Sequence, residues 1–330
     1  MHTKHYLWCK EFIKTLKFKI KKQKYMKVLA SPSSIGQIDS KPFDILENNG
    51  FTLVKNPFGR KLTEDETVNL AKDCVGIVAG VENLNKKVID SLPMLKCISR
   101  VGVGMDSVDI SHAESKGIKV LNTPNGPTRA VAELTLGLTM SLLRKIPNAH
   151  YDLRNKVWKK QTGNLLFEKK IGIVGLGRIG RMTAEMFRAL GNPVAGHDLY
   201  PNEEWAKKHG VEVLDLKELL INCDIISIHI PALKDGSAFI TKAELDMLKD
   251  DAFLVNVSRG GVVDEEALHE VLKSGKLSAV ALDVFSQEPY SGKLCNIENV
   301  VLTPHIGSYA KEGKLKMEID AAQNLINALK

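Results

Sequence analysis

From residue 28 onward, short apolar runs alternate with stretches whose apolar positions recur every three or four residues. Apolar runs of this length predict strands, and the second pattern predicts helices. The predicted strands of the first third of the chain are 28–30, 52–54, 76–79, 97–99 and 119–121. The predicted helices between them are 41–49, 64–72, 86–91 and 108–116. Such alternation is typical of a parallel sheet with helical crossovers.

A second alternation begins at Lys170. Its predicted strands are 171–174, 194–195, 225–229, 253–256, 279–282 and 300–302. Its predicted helices are 178–190, 203–209, 216–221, 242–248 and 265–273, and two further helical patterns cover 129–144 and 310–329. We therefore predict an α/β chain with two doubly wound parallel-sheet domains, Rossmann-like and flavodoxin-like, joined by a helical hinge at 129–144.

The net charge of +7 is not spread over the chain. Residues 1–27 contain nine Lys and one Glu, which leaves residues 28–330 with a net charge of −1. A nucleic-acid-binding domain carries its positive charge on the folded body, so we expect no nucleic-acid partner. Four apolar positions of this basic N-terminal extension, Phe12, Ile13, Leu16 and Ile20, can share one helical face, but a frayed tail ahead of the first strand is the simpler interpretation.

The longest stretch without charged or strongly polar residues covers about 134–143. That is half the length of a bilayer-spanning helix, so we expect no membrane segment. The five cysteines, Cys9, Cys74, Cys97, Cys223 and Cys295, are scattered and form no C-x-x-C pair. They predict reduced thiols in a cytoplasmic protein, and we expect no metal site.

A glycine-rich turn, Gly175-Leu176-Gly177-Arg178-Ile179-Gly180, stands between a predicted strand and a predicted helix. Gly175 allows the tight turn, Gly177 lets a pyrophosphate approach the backbone, and Gly180 allows close packing of helix on strand. Asp198 ends the next strand 18 residues after Gly180, where a carboxylate accepts hydrogen bonds from ribose hydroxyls and repels a 2′-phosphate. The pattern predicts a dinucleotide site that prefers NAD to NADP.

Four stretches give the chain a resemblance to a known family. They are RVGVGMDSVDI at 100–110, GLGRIGR at 175–181, LVNVSRGGVVDEEAL at 254–268, and ALDVFSQEP at 281–289 with TPHIGS at 303–308. With them the sequence resembles the D-isomer-specific 2-hydroxyacid dehydrogenases, and most of all the short phosphoglycerate-dehydrogenase-like branch. The resemblance covers nearly all of 26–330.

The resemblance implies a substrate domain split between 28–125 and 308–330, and an NAD-binding domain at 126–307, after the extension at 1–27. It implies a catalytic set of three residues, Arg259, Glu288 and His305. For NAD it adds positions along the glycine turn and at later strand ends; the full implied set is Gly175, Gly177, Arg178, Ile179, Gly180, Asp198, Ile230, Val257, Ser258, Asp283 and Gly307.

In the chemistry that the resemblance implies, His305 gives a proton to the oxygen of a reduced 2-keto acid and takes it back in oxidation. Glu288 holds the other ring nitrogen and favours the imidazolium form. Arg259 binds the substrate carboxylate and polarises the carbonyl group. Backbone N–H groups of Gly102, Val103 and Gly104 bind the second carboxylate oxygen.

The substrate expected from the resemblance is the pair 3-phosphoglycerate and 3-phosphohydroxypyruvate, as in serine biosynthesis. A phosphate group needs cations besides Arg259, and Arg60, Arg100 and Arg144 are the candidates, although each suits a solvated or packing role better. The chain ends soon after His305, so we expect no C-terminal regulatory domain and no serine feedback through one.

Other functions stay open at this point. The chain can be a glyoxylate or hydroxypyruvate reductase, or a formate- or phosphite-type dehydrogenase. It can also be an NAD(H)-sensing binding protein similar to the C-terminal-binding co-repressors. For any enzyme of the family we expect a small-molecule 2-hydroxy or 2-keto acid as substrate and a homodimer formed through the NAD-binding domain.

Overall fold

The computed structural model describes residues 26–330 and divides them into two compact units, 26–127 with 310–330 and 128–309. The predicted domain boundaries, after 125 and after 307, lie two residues before the ends of these segments. The amphipathic pattern of the basic extension lies outside the described residues. The first strand begins at Met26, two residues earlier than predicted.

The first unit contains a five-stranded parallel sheet in the order β2-β1-β3-β4-β5. Its strands are β1 (Met26–Ala30), β2 (Phe51–Lys55), β3 (Cys74–Ala79), β4 (Cys97–Arg100) and β5 (Lys119–Leu121). Its helices are α1 (Lys41–Asn48), α2 (Glu64–Ala71), α3 (Lys86–Asp90), α4 (Ile110–Ser115) and, from the end of the chain, α12 (Lys311–Leu329).

Helix α12 covers one face of this sheet. Its Leu325 and Ile326 pack in one apolar cluster with Val28 of β1 and Val78 of β3, and all four are buried. Gly76 lets the helix approach, because a Cβ at this position would stand 3.0 Å from Leu325 Cδ1. β3 is apolar throughout and β1 is apolar except for Lys27, because helices cover both faces of a parallel sheet.

The second unit contains a seven-stranded parallel sheet in the order β12-β11-β10-β9-β6-β7-β8. Its strands are β6 (Ile171–Val174), β7 (Val194–His197), β8 (Val211–Val213), β9 (Ile225–Ile228), β10 (Ala252–Asn256), β11 (Leu277–Leu282) and β12 (Val300–Leu302). Its helices are α5 (Thr128–Arg144), α6 (Ile146–Arg154), α7 (Arg178–Ala189), α8 (Glu203–His209), α9 (Leu216–Asn222), α10 (Lys242–Met247) and α11 (Glu265–Lys273), with a 3₁₀ helix at Lys293–Asn296.

The strand order of the second unit changes direction between β6 and β9. Chain order runs outward from β6 through β7 to β8 on one side, and from β9 through β12 on the other. This is the doubly wound arrangement in which a ligand binds at the carboxyl ends of the strands, beside the switch point. All four residues of β6 are buried, so the strand that precedes the glycine turn lies in the middle of the core.

The predicted fold class is confirmed. The first sheet has the flavodoxin-like order and the second has the Rossmann order with one added strand. The predictions missed β8, α6 and the 3₁₀ helix. Over the described part of the chain, no helix combines the length and the apolar character that crossing a bilayer requires.

Candidate active site

The turn after β6 is built so that only glycine fits its first position. Gly175 has a φ of +96°, and its N–H donates to the His197 carbonyl over 2.8 Å. A Cβ on Gly175 would stand 2.7 Å from the His229 carbonyl oxygen and equally close to Ile230 Cγ2. A side chain is therefore excluded by both backbone conformation and space.

The other two glycines of the motif have different surroundings. A Cβ on Gly177 would meet no atom within 4 Å, so the space beside it is open. A Cβ on Gly180 would stand 1.9 Å from the Gly175 carbonyl oxygen, inside the contact of helix with turn. Gly177 is also the N-cap of α7 and provides no side-chain acceptor for the first N–H groups of the helix. Those N–H groups and the open space suit a pyrophosphate.

Asp198 ties the turn to the next strand. It follows β7, its Oδ2 accepts the N–H of Leu176 over 2.7 Å, and its Oδ1 accepts the N–H of Tyr200 over 2.9 Å. A carboxylate oxygen accepts two hydrogen bonds, so each retains a lone pair that a ribose hydroxyl can use. Leu199 and Tyr200 are exposed, and neither provides the positive charge that a 2′-phosphate needs. These acceptors and the lack of a positive charge fit NAD.

Among the other positions predicted for NAD, Arg178 and Ile179 form the first turn of α7, and Ile230 follows β9 next to Gly175. One residue that supports the turn was missed. Arg181 Nε donates to the Leu176 carbonyl over 2.7 Å, so its side chain fixes the middle of the turn from within α7. An Arg four residues into a helix gives no sequence signal of that contact.

Three further groups of predicted residues follow β10, β11 and β12, and the parallel sheet brings them to the same edge as the glycine turn. After β10, Asn256 organises the chain: its Oδ1 accepts from Ser258 N and Oγ at 3.0 and 2.8 Å, and its Nδ2 donates to the Arg259 carbonyl over 3.1 Å. Arg259 Nη1 donates to the Ser258 carbonyl over 2.7 Å. Val257 is buried beneath this turn. Asn256 was not among the predicted residues.

Glu288 and His305 meet as the resemblance implies. His305 Nδ1 lies 2.9 Å from Glu288 Oε2 and 3.1 Å from Oε1. Glu288 Oε1 also accepts the N–H of Phe285 over 3.1 Å, which fixes the carboxylate. Since the carboxylate occupies Nδ1, Nε2 is the ring nitrogen that can exchange a proton with a bound molecule.

Asp283 holds the turn that carries His305. Its Oδ1 accepts from Thr303 Oγ1 at 2.6 Å and from Ile306 N at 2.8 Å, and its Oδ2 accepts from Gly307 N at 2.8 Å. The side chain is buried, and burial raises the pKa of the Asp283 carboxyl against the opposing effect of these hydrogen bonds. His305 has a φ of +54°, which a non-glycine residue adopts only when its surroundings enforce it.

The predicted substrate loop, with Gly102, Val103 and Gly104, follows β4 of the first unit. Gly102 has a φ of +137°, its N–H donates to Thr123 Oγ1 over 2.7 Å, and its carbonyl accepts from Thr123 N over 3.0 Å. Asn122 Nδ2 donates to the Val103 carbonyl over 2.9 Å. The loop is thus anchored to the chain after β5 at the carboxyl edge of its sheet.

The three candidate arginines differ. Arg60 forms a two-pronged ion pair with Glu66, at 2.9 and 2.7 Å, and this contact lowers the pKa of the Glu66 carboxyl to about 2. Arg60 is therefore already engaged in its own unit. The guanidinium of Arg100 lies under Gly102, where a Cβ would stand 2.9 Å from Nη1. Arg144 is exposed at the end of α5.

Within residues 26–330, no three His, Cys, Asp or Glu side chains come together in a way that could hold a metal ion. The side chains described at this edge of the second sheet include an imidazole, two carboxylates and a guanidinium, beside the glycine turn.

Comparison with known proteins agrees with this geometry. The sequence model of the D-isomer specific 2-hydroxyacid dehydrogenase NAD-binding domain matches residues 136–307. The D-3-phosphoglycerate dehydrogenase of Archaeoglobus fulgidus is 36% identical over 310 residues, which are 92% of this chain and 58% of that protein. This chain spans about half the length of the curated relatives it matches.

Solved structures extend the likeness. The TT0316 protein from Thermus thermophilus is 32% identical with a TM-score of 0.84, covering 92% of this chain and 97% of that one. A glyoxylate reductase from Paecilomyes thermophila is 26% identical with a TM-score of 0.81, covering 92% and 95%. The predicted family, which is one of NAD-dependent oxidoreductases, and its cofactor NAD are confirmed. The chain belongs to the D-isomer specific 2-hydroxyacid dehydrogenase family, and residues 136–307 match its NAD-binding domain.

Proposed function

We propose that this protein is an NAD-dependent D-2-hydroxyacid dehydrogenase whose substrate pair is 3-phosphoglycerate and 3-phosphohydroxypyruvate. The observation that carries the proposal is the contact of 2.9 Å between His305 Nδ1 and Glu288 Oε2, at the sheet edge that also bears the glycine turn. An oriented imidazole is the group that an alcohol–ketone interconversion needs, because one proton must move whenever a hydride moves.

The chain holds the cofactor with its own donors and acceptors. The N–H groups at the start of α7 would bind the pyrophosphate, and the Asp198 carboxylate would accept from the ribose hydroxyls. When bound, the cofactor would donate a hydride as NADH or accept one as NAD⁺. Ile230, Val257 and Ser258 would line the nicotinamide side.

His305 then acts as acid and base. In reduction, Nε2 gives its proton to the oxygen that becomes the hydroxyl group, and in oxidation it takes that proton back. Glu288 keeps the ring in place, since it accepts from Nδ1. Asp283 fixes the position of the His305 ring, because it accepts hydrogen bonds from the N–H groups of Ile306 and Gly307, the next two residues.

Arg259 binds the acid group. Its planar guanidinium matches a carboxylate in shape and charge, and it polarises the neighbouring carbonyl oxygen. The contact of Nη1 with the Ser258 carbonyl orients this fork. In the first unit, the predicted role of the Gly102 N–H in binding a carboxylate is not supported, because this N–H already donates to Thr123 Oγ1. The N–H groups of Val103 and Gly104 remain the candidates of that loop for a substrate carboxylate.

Support for a phosphorylated substrate comes from the curated relatives, which are named D-3-phosphoglycerate dehydrogenases. Among the three candidate arginines, Arg100 fits the phosphate role best, because its guanidinium lies against the Gly102 loop. Arg60 fits it poorly, because Glu66 occupies both prongs.

Reduction of glyoxylate or hydroxypyruvate is the second candidate function, and one observation favours it. Glu82, which is buried, lies just after β3 at the same edge as the Gly102 loop, and both of its oxygens lie 3.0 Å from the Gly80 N–H. The Glu82 carboxylate would repel a phosphate group, and Arg60 is already paired with Glu66. Both facts favour a 2-keto acid that carries no phosphate. A solved neighbour is named a glyoxylate reductase.

The test is NADH oxidation with 3-phosphohydroxypyruvate, hydroxypyruvate and glyoxylate, in the wild type and in Arg100→Met. We expect the highest kcat/KM with the phosphorylated acid, and a fall of about 10-fold or more for that acid alone in Arg100→Met, since an ion pair to phosphate is lost. Higher kcat/KM with glyoxylate or hydroxypyruvate would establish the second candidate. Firm NADH binding without turnover of any of the three would point to an NAD(H)-sensing protein.

We also propose a homodimer formed through the second unit. Helix α6 buries none of its residues, and large apolar side chains remain exposed along it and the segment that follows. The exposed apolar side chains are Ile146, Tyr151, Leu153, Val157, Trp158, Leu165 and Phe167. Exposed large apolar side chains concentrated in one segment are typical of a protein interface. Light scattering should give twice the chain mass, and Trp158→Glu with Leu165→Glu should give monomers, whereas Leu190→Glu should not.

A cytoplasmic location is part of the same proposal. The four cysteines of the described residues are free thiols, and three of them, Cys74, Cys97 and Cys223, are buried. Burial raises the pKa of these three thiols to about 11 to 12, which keeps them protonated and unreactive.

A further inference from the structure

The carbonyl group of Leu176, in the middle of the glycine turn, depends on a side-chain donor. Leu176 is almost completely buried, and its side chain packs on β7, where a Cβ of Gly196 would stand 2.6 Å from Leu176 Cδ2. The helix ladder of α7 begins one residue later, since the Gly177 carbonyl accepts the N–H of Arg181 over 3.0 Å. A buried carbonyl outside the ladder needs another partner.

Arg181 is that partner. Its Nε donates to the Leu176 carbonyl over 2.7 Å, a short distance that is typical of a charged donor. The N–H of the same residue donates to Asp198 Oδ2, also over 2.7 Å. Both backbone groups of Leu176 are therefore held by charged side chains, one from α7 and one from the end of β7, and neither group can rotate without losing its bond.

The bond from Arg181 also determines the direction of a backbone donor. The peptide between Leu176 and Gly177 is trans, and in a trans peptide the C=O and the following N–H point in opposite directions. Because the Leu176 carbonyl points to the guanidinium, the Gly177 N–H points away from it. Within residues 26–330 this N–H donates no hydrogen bond, and the space beside the Gly177 Cα is open.

The guanidinium of Arg181 is itself held by α8. Its Cζ lies 5.2 Å from the centroid of the Trp205 ring, a cation–π distance. Trp205 Nε1 donates over 3.1 Å to Oε1 of Glu185, which stands one turn after Arg181 on α7. The His209 ring stacks on Trp205 with the centroids 5.0 Å apart. The Trp205 ring is thus fixed between α7 and α8, and it restricts the guanidinium.

We propose that Arg181 is a positioning residue for NAD: through the Leu176 carbonyl it directs the Gly177 N–H to the pyrophosphate, and Trp205 keeps its guanidinium in place. The inference rests on the proposed binding of the pyrophosphate beside Gly177. The role requires a donor at the ε position of the side chain and no contact of the guanidinium with the dinucleotide. It therefore differs from an attraction between a positive charge and the phosphates.

Two variants separate these explanations. Glutamine carries its amide nitrogen at the position of Arg Nε without a charge, whereas methionine has no donor. The probe is ADP-ribose, which displaces NADH from the full chain in a fluorescence titration without turnover. Arg181→Met should raise the Kd of ADP-ribose about 10-fold, and Arg181→Gln should keep it within about 3-fold of the wild type. Equal losses in both variants would assign the effect to charge and overturn the proposal.

Adenosine is the ligand control, because it has ribose hydroxyls for Asp198 but no pyrophosphate. Its Kd in Arg181→Met should stay within a factor of about two of the wild type. A general disturbance of the unit would weaken adenosine as much as ADP-ribose, and that result would also overturn the proposal. The matched control is Arg188→Met on the same helix. Arg188 Nη1 donates to the Asn192 carbonyl over 2.9 Å, so this variant loses a bond of the same kind and should leave both Kd values unchanged.

Two more variants complete the test. Trp205→Leu should raise the Kd of ADP-ribose about 3-fold or more, because the guanidinium loses the ring that restricts it. Gly177→Ala tests the position of the pyrophosphate independently. If it binds ADP-ribose as the wild type does, the proposed position is wrong and the role of Arg181 falls with it. If it binds weakly while Arg181→Met binds normally, the position stands and only the role of Arg181 is excluded.

Discussion

The carbonyl oxygen of Gly175 stands 1.9 Å from the place that a Cβ of Gly180 would occupy. The dinucleotide turn and the helix after it are therefore packed backbone to backbone, with no room for one methyl group. Gly177, three residues earlier, has open space on its Cα. The two glycines thus serve different purposes, and alanine at each should reveal them separately.

Gly177→Ala should fold as the wild type does, because its φ of −71° suits alanine and the added methyl group meets no protein atom. The methyl group would occupy the space reserved for the pyrophosphate, so NADH should bind about 10-fold or more weakly. Gly180→Ala should instead lower the free energy of unfolding by about 1–3 kcal/mol through overpacking. NADH fluorescence titration and denaturant unfolding measure the two effects, and equal effects of the two variants on stability would contradict this division.

His305→Ala should reduce turnover by about 10²–10⁴-fold, because the group that transfers the proton is lost. The Kd of NADH should stay within a factor of about two, since the ring is not among the groups proposed to hold the dinucleotide. Stopped-flow reduction and NADH titration provide the two values. Turnover at the wild-type rate would remove His305 from the mechanism.

Asp283→Asn should reduce kcat by about 10–10²-fold without removing any group that contacts the substrate, because a shift of the His305 turn misplaces the ring. The amide provides one acceptor oxygen where three donors now point, from Thr303, Ile306 and Gly307. The control is Asp264→Asn, an N-cap of α11 on the same unit, which should leave kcat unchanged. A wild-type kcat in Asp283→Asn would show that the His305 turn keeps its position without the Asp283 carboxylate.

The same variant has an expected signature in pH. Because burial raises the pKa of Asp283, the folded protein binds more protons than the unfolded chain between the two pKa values. The contribution of Asp283 to stability is therefore full below the unfolded pKa of about 3.9, and it is lost as pH rises through the folded pKa. Denaturant unfolding in the wild type and Asp283→Asn should differ in slope within that window.

His229, at the end of β9, gives the opposite dependence. Its Nε2 lies 2.8 Å from Ser227 Oγ, and although part of the residue is exposed, burial of the ring lowers the pKa of His229 to about 3. Because the pKa is lowered in the fold, the contribution of His229 to stability is full above the unfolded pKa of about 6.5. As the pH decreases below that value, the free energy of unfolding decreases by up to about 1.4 kcal/mol per pH unit. His229→Gln should flatten the decline in unfolding free energy between about pH 6.5 and 3. An unchanged slope would show that the ring does not stay neutral in the fold.

The sequence predicted best where local pattern and global structure agree. The apolar runs of β3, β6 and β10 are buried on both faces, and the Gly175 turn follows one of them. It failed for β8, because Val211–Val213 has only three residues with a charged one in the middle, and for α6, which has no buried side. The apolar side chains of α6 are exposed, so this helix covers no core.

Within the candidate site, the sequence indicated which residues matter but not how they are held. Asn256 and Arg181 act through hydrogen bonds to backbone carbonyls. Every residue has a backbone carbonyl, so the sequence does not show which one a side chain meets in the fold. The sequence likewise does not reveal the ion pair of Arg60 with Glu66, although this pair determines whether Arg60 is available to bind a phosphate group.

Helix α12 has a consequence for how the protein is made. The apolar face of β1 and β3 is covered by Leu325 and Ile326, which leave the ribosome only after the whole of 128–309. The five-stranded sheet is thus synthesised before the second unit and completed after it. Nascent chains must carry that uncovered face while the second unit is being made, so a domain that begins folding early becomes stable only when a distant segment arrives.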